Sequence, residues 1–153
     1  MNSGMTETPL GFLLFETARL YRARTERAFE QAGLGITSGE ARTLVYVHQH
    51  PGLRQAALAE KMNVEPMTLV ASLDRLEAQQ LVRREPDPSD RRAKLVNLTP
   101  AAEPFIERIT AVAAAARAQT LEGLSDAQVA AFRATLEHMR ANIVRSARAP
   151  EDA

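Results

Sequence analysis

The fold is decided by residues 81–99, which read LVRREPDPSDRRAKLVNLT. Residues 81–84 and 94–98 are short runs rich in apolar and β-branched residues, a pattern typical of strands. Residues 85–91 between them are charged and rich in proline, aspartate and serine, which favours a turn. The stretch therefore predicts a two-stranded hairpin with a charged loop at its tip.

The hairpin directly follows two short predicted helices. The first covers residues 55–62 and ends at Asn63, a residue type suited to the left-handed backbone at a helix end. The second opens at Pro66, because proline is tolerated at the first helical position. We expect the inner sides of the two helices to carry Leu58, Met62, Leu69, Leu73, Leu76 and Gln80. A helix-turn-helix followed by a hairpin predicts a winged helix-turn-helix, with its second helix as the groove reader.

Two further predicted helices precede this unit. Residues 10–31 carry apolar side chains at three- and four-residue spacing, which indicates an amphipathic helix. The next helix begins after Thr37 and ends before Pro51, and Thr37 and Glu40 have the spacing of a capping box. Its expected inner stripe is Ala41, Leu44, Val45 and His48.

Two more helices are predicted after the hairpin. Thr99 is expected to cap a helix that runs to about residue 121. Gly123 ends that helix, and Ser125 and Gln128 form a second capping box. The last helix carries apolar residues alternately three and four apart, a heptad-like seam that requires a partner helix. The seam residues are Val129, Phe132, Leu136, Met139 and Ile143.

These elements predict a mainly α fold of the α+β class, in which dimerisation helices flank a winged helix-turn-helix with a two-stranded wing. The DNA-binding lobe is expected at residues 36–98, and the dimerisation helices at 10–34 and 99–147. Residues 1–9 and 148–153 are predicted to be a flexible arm and a flexible tail. We expect a homodimer, because a small domain cannot cover the seam together with the first helix's apolar stripe. In that stripe the predicted dimerisation residues are Leu10, Leu13 and Leu14.

The composition excludes several classes of site. The 153 residues contain no cysteine, which excludes disulfide frameworks, thiolate zinc sites and cysteine nucleophiles, and fits a reducing compartment. The longest apolar run, residues 10–15, is far below the ~20 residues of a membrane span, and no basic stretch precedes it. We therefore predict a cytoplasmic protein without a membrane partner. Lys+Arg and Asp+Glu are equal at 19 each, so any basic surface must be local.

The order of elements and three stretches of sequence resemble the MarR family of winged-helix transcription regulators. The stretches are LDRLE (73–77), LVRR (81–84) and PDPSDRRAKLVNLT (86–99). The resemblance is most specific over residues 81–100, and in element order it extends over about residues 10–147. It implies a dimeric regulator that binds a pseudo-palindromic operator in double-stranded DNA, most commonly as a repressor, and releases it when a small molecule binds.

Basic residues concentrate on the predicted wing. From Arg54 to Lys94 there are eight basic and seven acidic residues, and five of the eight basic ones lie between residues 83 and 94. Asp90 and Arg92 are two apart at the tip, so the carboxylate can hold the guanidinium in one orientation, which suits a narrow minor groove. The resemblance implies that Arg92 is the minor-groove reader. Asp90, Arg91 and Lys94 complete the predicted wing contacts, and the alternative is a solvated charged turn.

The outward side of the groove-reading helix is predicted to meet the DNA. Advancing 100° per residue from Leu69 and Leu73 places Met67, Thr68, Ala71, Asp74, Arg75 and Ala78 outward. Thr68 suits a base edge or a phosphate, Met67 a thymine methyl group and Arg75 a phosphate.

This helix departs from the family pattern. Ala71 stands where arginine is common and Met67 where serine or threonine is common, so readout by hydrogen bonds is thinner, and the wing and the DNA shape matter more. Arg54 and Gln55, at the start of the preceding helix, are further predicted DNA contacts. Arg54 replaces a common capping residue, and it either reaches a phosphate or is a plain surface residue.

The resemblance also implies a site for a small aromatic acid at the junction between the dimerisation and DNA-binding parts. Phe15, Arg19, Leu44 and His48 are its expected walls, suited to an aromatic carboxylate whose anion lies on Arg19. The alternatives are that Arg19 belongs to a solvated charged face and that His48 is a core histidine. No metal site and no cofactor are predicted, because His48 and His50 face nearly opposite sides of a helix.

Two other classes of function remain. A protein-interaction module would use a degenerate winged helix, with Ala71 on its reading face, without sequence-specific DNA binding. An enzyme would need a nucleophile with its base, a glycine-rich phosphate loop or paired carboxylates, and the sequence has none of these in a recognisable setting. We therefore predict that the protein is not an enzyme.

Overall fold

The computed structural model describes residues 7–148, which form two compact units divided between Arg117 and Ala118. The first unit contains α1 (Leu10–Gln31), α2 (Ser38–Gln49), β1 (Leu53–Arg54), α3 (Gln55–Met62), α4 (Pro66–Ala78), β2 (Val82–Asp87), β3 (Asp90–Leu98), a 3-10 turn (Pro100–Ala102) and most of α5 (Glu103–Thr120). The second contains the end of α5 and α6 (Asp126–Arg148). The predicted mainly helical winged fold is confirmed. Of the predicted arm and tail, all but residues 7–9 and 148 lie outside the described residues, and residue 148 is the last of α6.

The helix boundaries follow the predicted capping residues. The amide of Thr37 donates to Glu40 Oε2 at 2.9 Å, and the amide of Glu40 donates to Thr37 Oγ1 at 3.1 Å, so the first capping box is confirmed. Asn63 ends α3 with a left-handed backbone, φ +50°. In the second unit the amide of Ser125 donates to Gln128 Oε1, and the amide of Gln128 donates to Ser125 Oγ. Local chemistry therefore sets where these helices begin and end.

The core of the first unit is built from leucines on the inner sides of α2, α3 and α4. Fully buried large side chains are Leu44, Val47, Leu58, Leu69, Leu73, Leu76, Val96 and Ile109. The prediction that Gln80 faces inward is wrong, because Gln80 lies beyond the end of α4 with φ +59° and is exposed. The amide of Leu81 donates to Leu76 O and that of Gln80 to Glu77 O. This Schellman closure turns the chain out of α4 and buries Leu81 instead.

The sheet has three antiparallel strands in the order β1-β3-β2. The third strand, β1, was not predicted, because its two residues are too few to show a pattern; Leu53 pairs with Val96 and Arg54 with Leu95. The predicted loop at residues 85–91 is also wrong in extent, since β2 runs to Asp87 and β3 starts at Asp90. An irregularity in register between Pro86 and Asp87 accommodates the proline, which has no amide for the ladder. The wing is therefore a long hairpin with a two-residue turn.

Thr99 closes the base of this hairpin and does not cap a helix with its side chain. Its amide donates to Leu81 O at 3.0 Å and its hydroxyl to Gln80 O, and the 3-10 turn then leads into α5. The prediction of a side-chain cap at Thr99 is wrong, because the hydroxyl is already committed to the end of α4. None of the helices described for residues 7–148 combines the length and the apolar character that crossing a membrane requires.

Candidate nucleic-acid interface

The outward side of α4 is open to solvent, as predicted from its periodicity. Met67 is 74% exposed, and Thr68, Ala71 and Arg75 are exposed as well. Leu69, Leu73 and Leu76 on the opposite side are buried and fix the helix on the core. One face of α4 is therefore available to a partner along its whole length.

Arg75 is tied to the start of α2. Its Nε donates to Glu40 Oε1, and Glu40 is only 3% exposed. The same carboxylate completes the Thr37 capping box through its other oxygen. Glu40 thus joins the first turn of α2 to α4, and the Arg75 side chain, predicted to contact a phosphate, has one of its donors engaged within the protein while it remains half exposed.

A second ion-pair cluster joins α4 to the wing. The Arg84 guanidinium on β2 donates to Asp74 and Glu77 at 2.6 Å each, and the Arg84 amide donates to Glu77 at 3.1 Å. The hydrogen bond from Arg84 lowers the pKa of Glu77, and the same bond raises the pKa of Arg84. These contacts keep both groups charged and hold the base of the wing against α4.

Arg54 holds the turn of the wing. Its Nε and Nη2 approach Asp87 Oδ2 at 2.7 and 2.6 Å, and Nη2 donates to Ser89 Oγ at 3.1 Å. Hydrogen bonds from the Ser89 amide and hydroxyl, followed by that from Arg54, lower the pKa of Asp87 to about 2. Arg54 is thus an exposed surface residue, one of the two alternatives expected from the sequence, and its contacts also brace β1 against the wing turn.

The tip of the wing carries cations that are not neutralised in this way. Arg91, Arg92 and Lys94 are exposed, and no carboxylate among residues 7–148 lies within 4 Å of their charged nitrogens. Asp90 Oδ1 accepts from the backbone amide of Arg92 at 3.1 Å. The predicted pair between Asp90 and the Arg92 guanidinium is thus wrong, since the carboxylate is occupied by the backbone of the turn.

The basic footprint is smaller than the residue count indicated. Arg54, Arg75 and Arg84 are paired with carboxylates, and Arg83 approaches Glu85 at 3.5 Å. The unpaired charge of the hairpin is therefore concentrated at its tip. Sequence reasoning missed the bracing roles of Glu40 and Asp87, because each pairs with an arginine more than 30 positions away, and no local pattern reports such a contact.

The four residues of the predicted ligand site differ widely in burial. Leu44 has no exposed surface, whereas Phe15 is 79% exposed and Arg19 is exposed on α1. His48 is exposed, so the interpretation of a core histidine is wrong; Thr43 and Val47 fill that inner stripe instead. A pocket of about 420 Å³ is lined by His48, Arg83, Leu98, Thr99, Pro100, Glu103 and Ile106. The structure thus places His48 beside the base of the wing, in a pocket that none of the other three residues lines.

The predicted dimerisation residues lie on exposed apolar surfaces. On α1, Leu10 and Leu13 are exposed and Leu14 is half-buried. In the second unit, α6 exposes Phe132 and Ile143, whereas Val129, Leu136 and Met139 are half-buried.

Gln55, a predicted DNA contact, is half-buried at the start of α3. Among residues 7–148 no three His, Asp or Glu side chains are placed to hold a metal ion.

The chain is similar to a known protein family and to several solved structures. The model of the MarR family matches residues 36–94. A MarR-family transcriptional regulator from Silicibacter pomeroyi is 32% identical, covers 93% of this chain and 92% of its own, and has a TM-score of 0.74. Transcriptional regulator PA3341 is 34% identical over 90% and 99%, with a TM-score of 0.73. CouR from Rhodococcus jostii RHA1, bound to p-coumaroyl-CoA, has a similar fold at 24% identity over 90% and 95%, with a TM-score of 0.70.

Proposed function

The chain belongs to the MarR family of transcriptional regulators, and from this premise we propose that it is a homodimeric DNA-binding repressor. It acts in the cytoplasm on a pseudo-palindromic operator and is not an enzyme. The observation that carries the proposal is the exposed face of α4 beside a wing whose tip cations are unpaired. A wing of this kind is able to follow the phosphates while the helix enters the groove.

In this proposal the lobe meets DNA in two ways. Met67, Thr68 and Ala71 enter the major groove, and Arg91, Arg92 and Lys94 lie against the backbone and the minor groove. Gln55 and the free nitrogens of Arg75 reach phosphates. Arg54 and Asp90 act indirectly, because Arg54 donates to the side chains of Asp87 and Ser89 in the wing turn and Asp90 accepts from the Arg92 amide.

The homodimer is proposed from the apolar surfaces of α1 and α6. Phe132 and Ile143 are more than half exposed on α6, and Leu10 is 71% exposed on α1. A second copy of the chain would cover such surfaces by a two-fold axis, which also matches the symmetry of a pseudo-palindromic operator.

A small molecule is the proposed effector that releases the operator. CouR holds p-coumaroyl-CoA, a conjugate of an aromatic acid. In this chain Arg19 and Phe15 offer an exposed cation and ring on α1, and the pocket at His48 offers Arg83. Leu44 is left out of the set because it is buried. A small aromatic acid is the proposed ligand class.

Salt dependence of DNA binding tests the proposal. The three unpaired cations of each wing give about six contacts with the polyanion in a dimer, so these cations alone should make log Kd change with log salt with a slope near 5. The measurement is fluorescence anisotropy with a random-sequence duplex across a salt series. Arg91→Ala should reduce the slope by about 2, since one contact is lost from each copy. No measurable affinity at low salt would contradict DNA binding.

A protein-interaction module is the second function with an observation in its favour. The exposed face of α4 is largely apolar at Met67 and Ala71, and its arginine is already paired with Glu40. Such a face would suit a protein partner as well as a groove. A slope close to zero in the salt series would favour this alternative.

A further inference from the structure

The N-terminal half of α4 presents methyl groups and few hydrogen-bonding groups. Met67, Thr68 and Ala71 are exposed there, and Met67 is the most exposed large apolar side chain of the lobe. The N-terminal residues of a recognition helix are those that contact base edges. The contacts that this part of α4 can make with base edges are therefore mainly apolar.

Apart from Thr68, the polar side chains of α4 are buried or have hydrogen-bond partners within the protein. The helix contains no Lys, Asn or Gln, and its single arginine, Arg75, donates to Glu40. Asp74 accepts from Arg84 of the wing, and Ser72 is buried. The side chains that usually recognise guanine or adenine in the major groove are thus missing from the reading face or held within the protein.

Thymine is the base that offers an apolar group on its major-groove edge, the C5-methyl. We propose that α4 recognises its operator through thymine methyl groups, with Met67 and Ala71 as the specificity-determining contacts. The two residues are four apart and lie on one face, with Cβ atoms about 5–6 Å from each other. That spacing spans one to two base-pair steps of about 3.4 Å, so the operator half-site carries two thymines within that distance.

This inference rests on the proposed DNA binding, and it differs from recognition of DNA shape. Replacing thymine by deoxyuridine removes the major-groove methyl group and leaves the Watson–Crick edge and the minor groove unchanged. A protein that reads shape or minor-groove width would respond little to the replacement. A protein that packs against the methyl loses the burial of one carbon.

The experiment begins with selection of bound duplexes from a random-sequence library. The selected duplex is then resynthesised with deoxyuridine at each conserved thymine in turn, and its Kd is measured at fixed salt. The expected loss is about three- to five-fold for each contacted methyl, from the burial of one carbon. In Met67→Ala, deoxyuridine at the contacted position should cause no further loss, because the partner of the methyl is gone.

The control variants separate this effect from general damage. Ala71→Ser keeps the Cβ but places a hydroxyl beside the thymine methyl group, so it should reduce the response at the second thymine. Ala134→Ser makes the same change at an exposed position of α6, outside the lobe, and should leave every affinity as in the wild type. Lys94→Ala should weaken thymine and deoxyuridine duplexes by the same factor.

Three results would overturn the inference. The first is equal affinity for the thymine and deoxyuridine duplexes in the wild type. The second is a deoxyuridine loss that persists unchanged in Met67→Ala and Ala71→Ser. The third is the absence of any DNA binding, which removes the proposed function as well, whereas the first two leave DNA binding intact and reject only the methyl readout.

Discussion

The lobe at residues 36–98 and the helix α6 differ in how they bury apolar side chains. In the lobe, Leu58, Leu69 and Leu73 are fully buried by other parts of the same chain. On α6, Phe132 is 52% and Ile143 is 65% exposed, although their spacing is as regular as that of the lobe's leucines. Regular apolar spacing alone therefore does not say which surface will cover a helix. The apolar side chains of the lobe are covered by the same chain, and we expect those of α6 to be covered by a second copy of the chain.

The largest expected effect concerns the exposed seam. Ile143→Asp should abolish self-association, because burial of an isoleucine contributes about 1.5–3 kcal/mol, and a two-fold dimer contains the residue twice. The monomer should keep its helical circular dichroism, since the side chain is already exposed in the isolated chain. Sedimentation velocity gives the measurement.

Ala141→Asp is the matched control for that variant. It places the same charge two residues earlier on α6, away from the seam, at an exposed position. Its association should equal that of the wild type. A wild-type chain that sediments as a monomer would reject the role of the seam altogether.

The next effect concerns the closed core of the lobe. Leu73→Ala should lower the free energy of unfolding by about 2–5 kcal/mol, because it leaves a cavity among fully buried leucines. Urea denaturation should show this loss at every protein concentration. Leu20→Ala makes the same change at an exposed site on α1. It should lower the free energy of unfolding only at protein concentrations at which the chain associates. Equal, concentration-independent losses in the two variants would contradict the contrast between the regions.

A smaller effect is expected at the wing, whose base is held by ion pairs and whose tip carries cations without a carboxylate partner. Arg92→Ala should cost about 1–3 kcal/mol of specific DNA binding. Asp90→Ala should cost less, because Asp90 accepts from the Arg92 backbone and not from its guanidinium. Anisotropy titration with the selected duplex checks both, and Arg92→Lys separates charge from the shape of the guanidinium. Wild-type affinity in Arg92→Ala would remove the minor-groove assignment.

The smallest effect is the pH dependence of the wing turn. Asp87 has its pKa lowered from 3.8 to about 2 by hydrogen bonds from Ser89 and Arg54. As the pH falls below about 4, the unfolded chain takes up this proton before the folded chain does, so the stabilisation is present above that pH and is lost towards about pH 2. Asp87→Asn should therefore be less stable than the wild type at neutral pH, and the difference should shrink in acid.

Urea unfolding at about pH 5 and about pH 2.5 measures that difference. Asp90→Asn controls for the loss of one negative charge on the wing. A gap between wild type and Asp87→Asn that stays constant over this range would contradict the assigned role of Asp87.

Much of the fold was readable because its signals are local. Most helix ends are set by residues that act on backbone groups within one helical turn, so these residue types predict the ends from sequence. They are Thr37 with Glu40, Asn63, Pro66, and Ser125 with Gln128. The outward position of Met67 and Ala71 follows from the helical period in the same way. The resemblance to the MarR family, most specific over residues 81–100, is confirmed by the family model and the solved structures. It was readable from sequence because most of that stretch forms one contiguous hairpin.

Other features depended on contacts between distant parts of the chain. The two-residue strand β1 forms only because it pairs with β3. The Thr99 hydroxyl does not cap a helix because it donates to Gln80 O instead. His48 turned outward because Thr43 and Val47 already occupy the inner stripe of α2.

The sequence by itself determined the order of the helices, most of their ends, the winged architecture and the placement of basic residues along the hairpin. Only the tertiary structure decided which of those cations are free. Arg54, Arg75 and Arg84 are paired with Asp87, Glu40 and Glu77, whereas Arg91, Arg92 and Lys94 remain open. The physical reason is that a charge is neutralised by whatever lies within about 4 Å of it. For Arg54 and Arg75, folding brings that partner from more than 30 positions away along the chain.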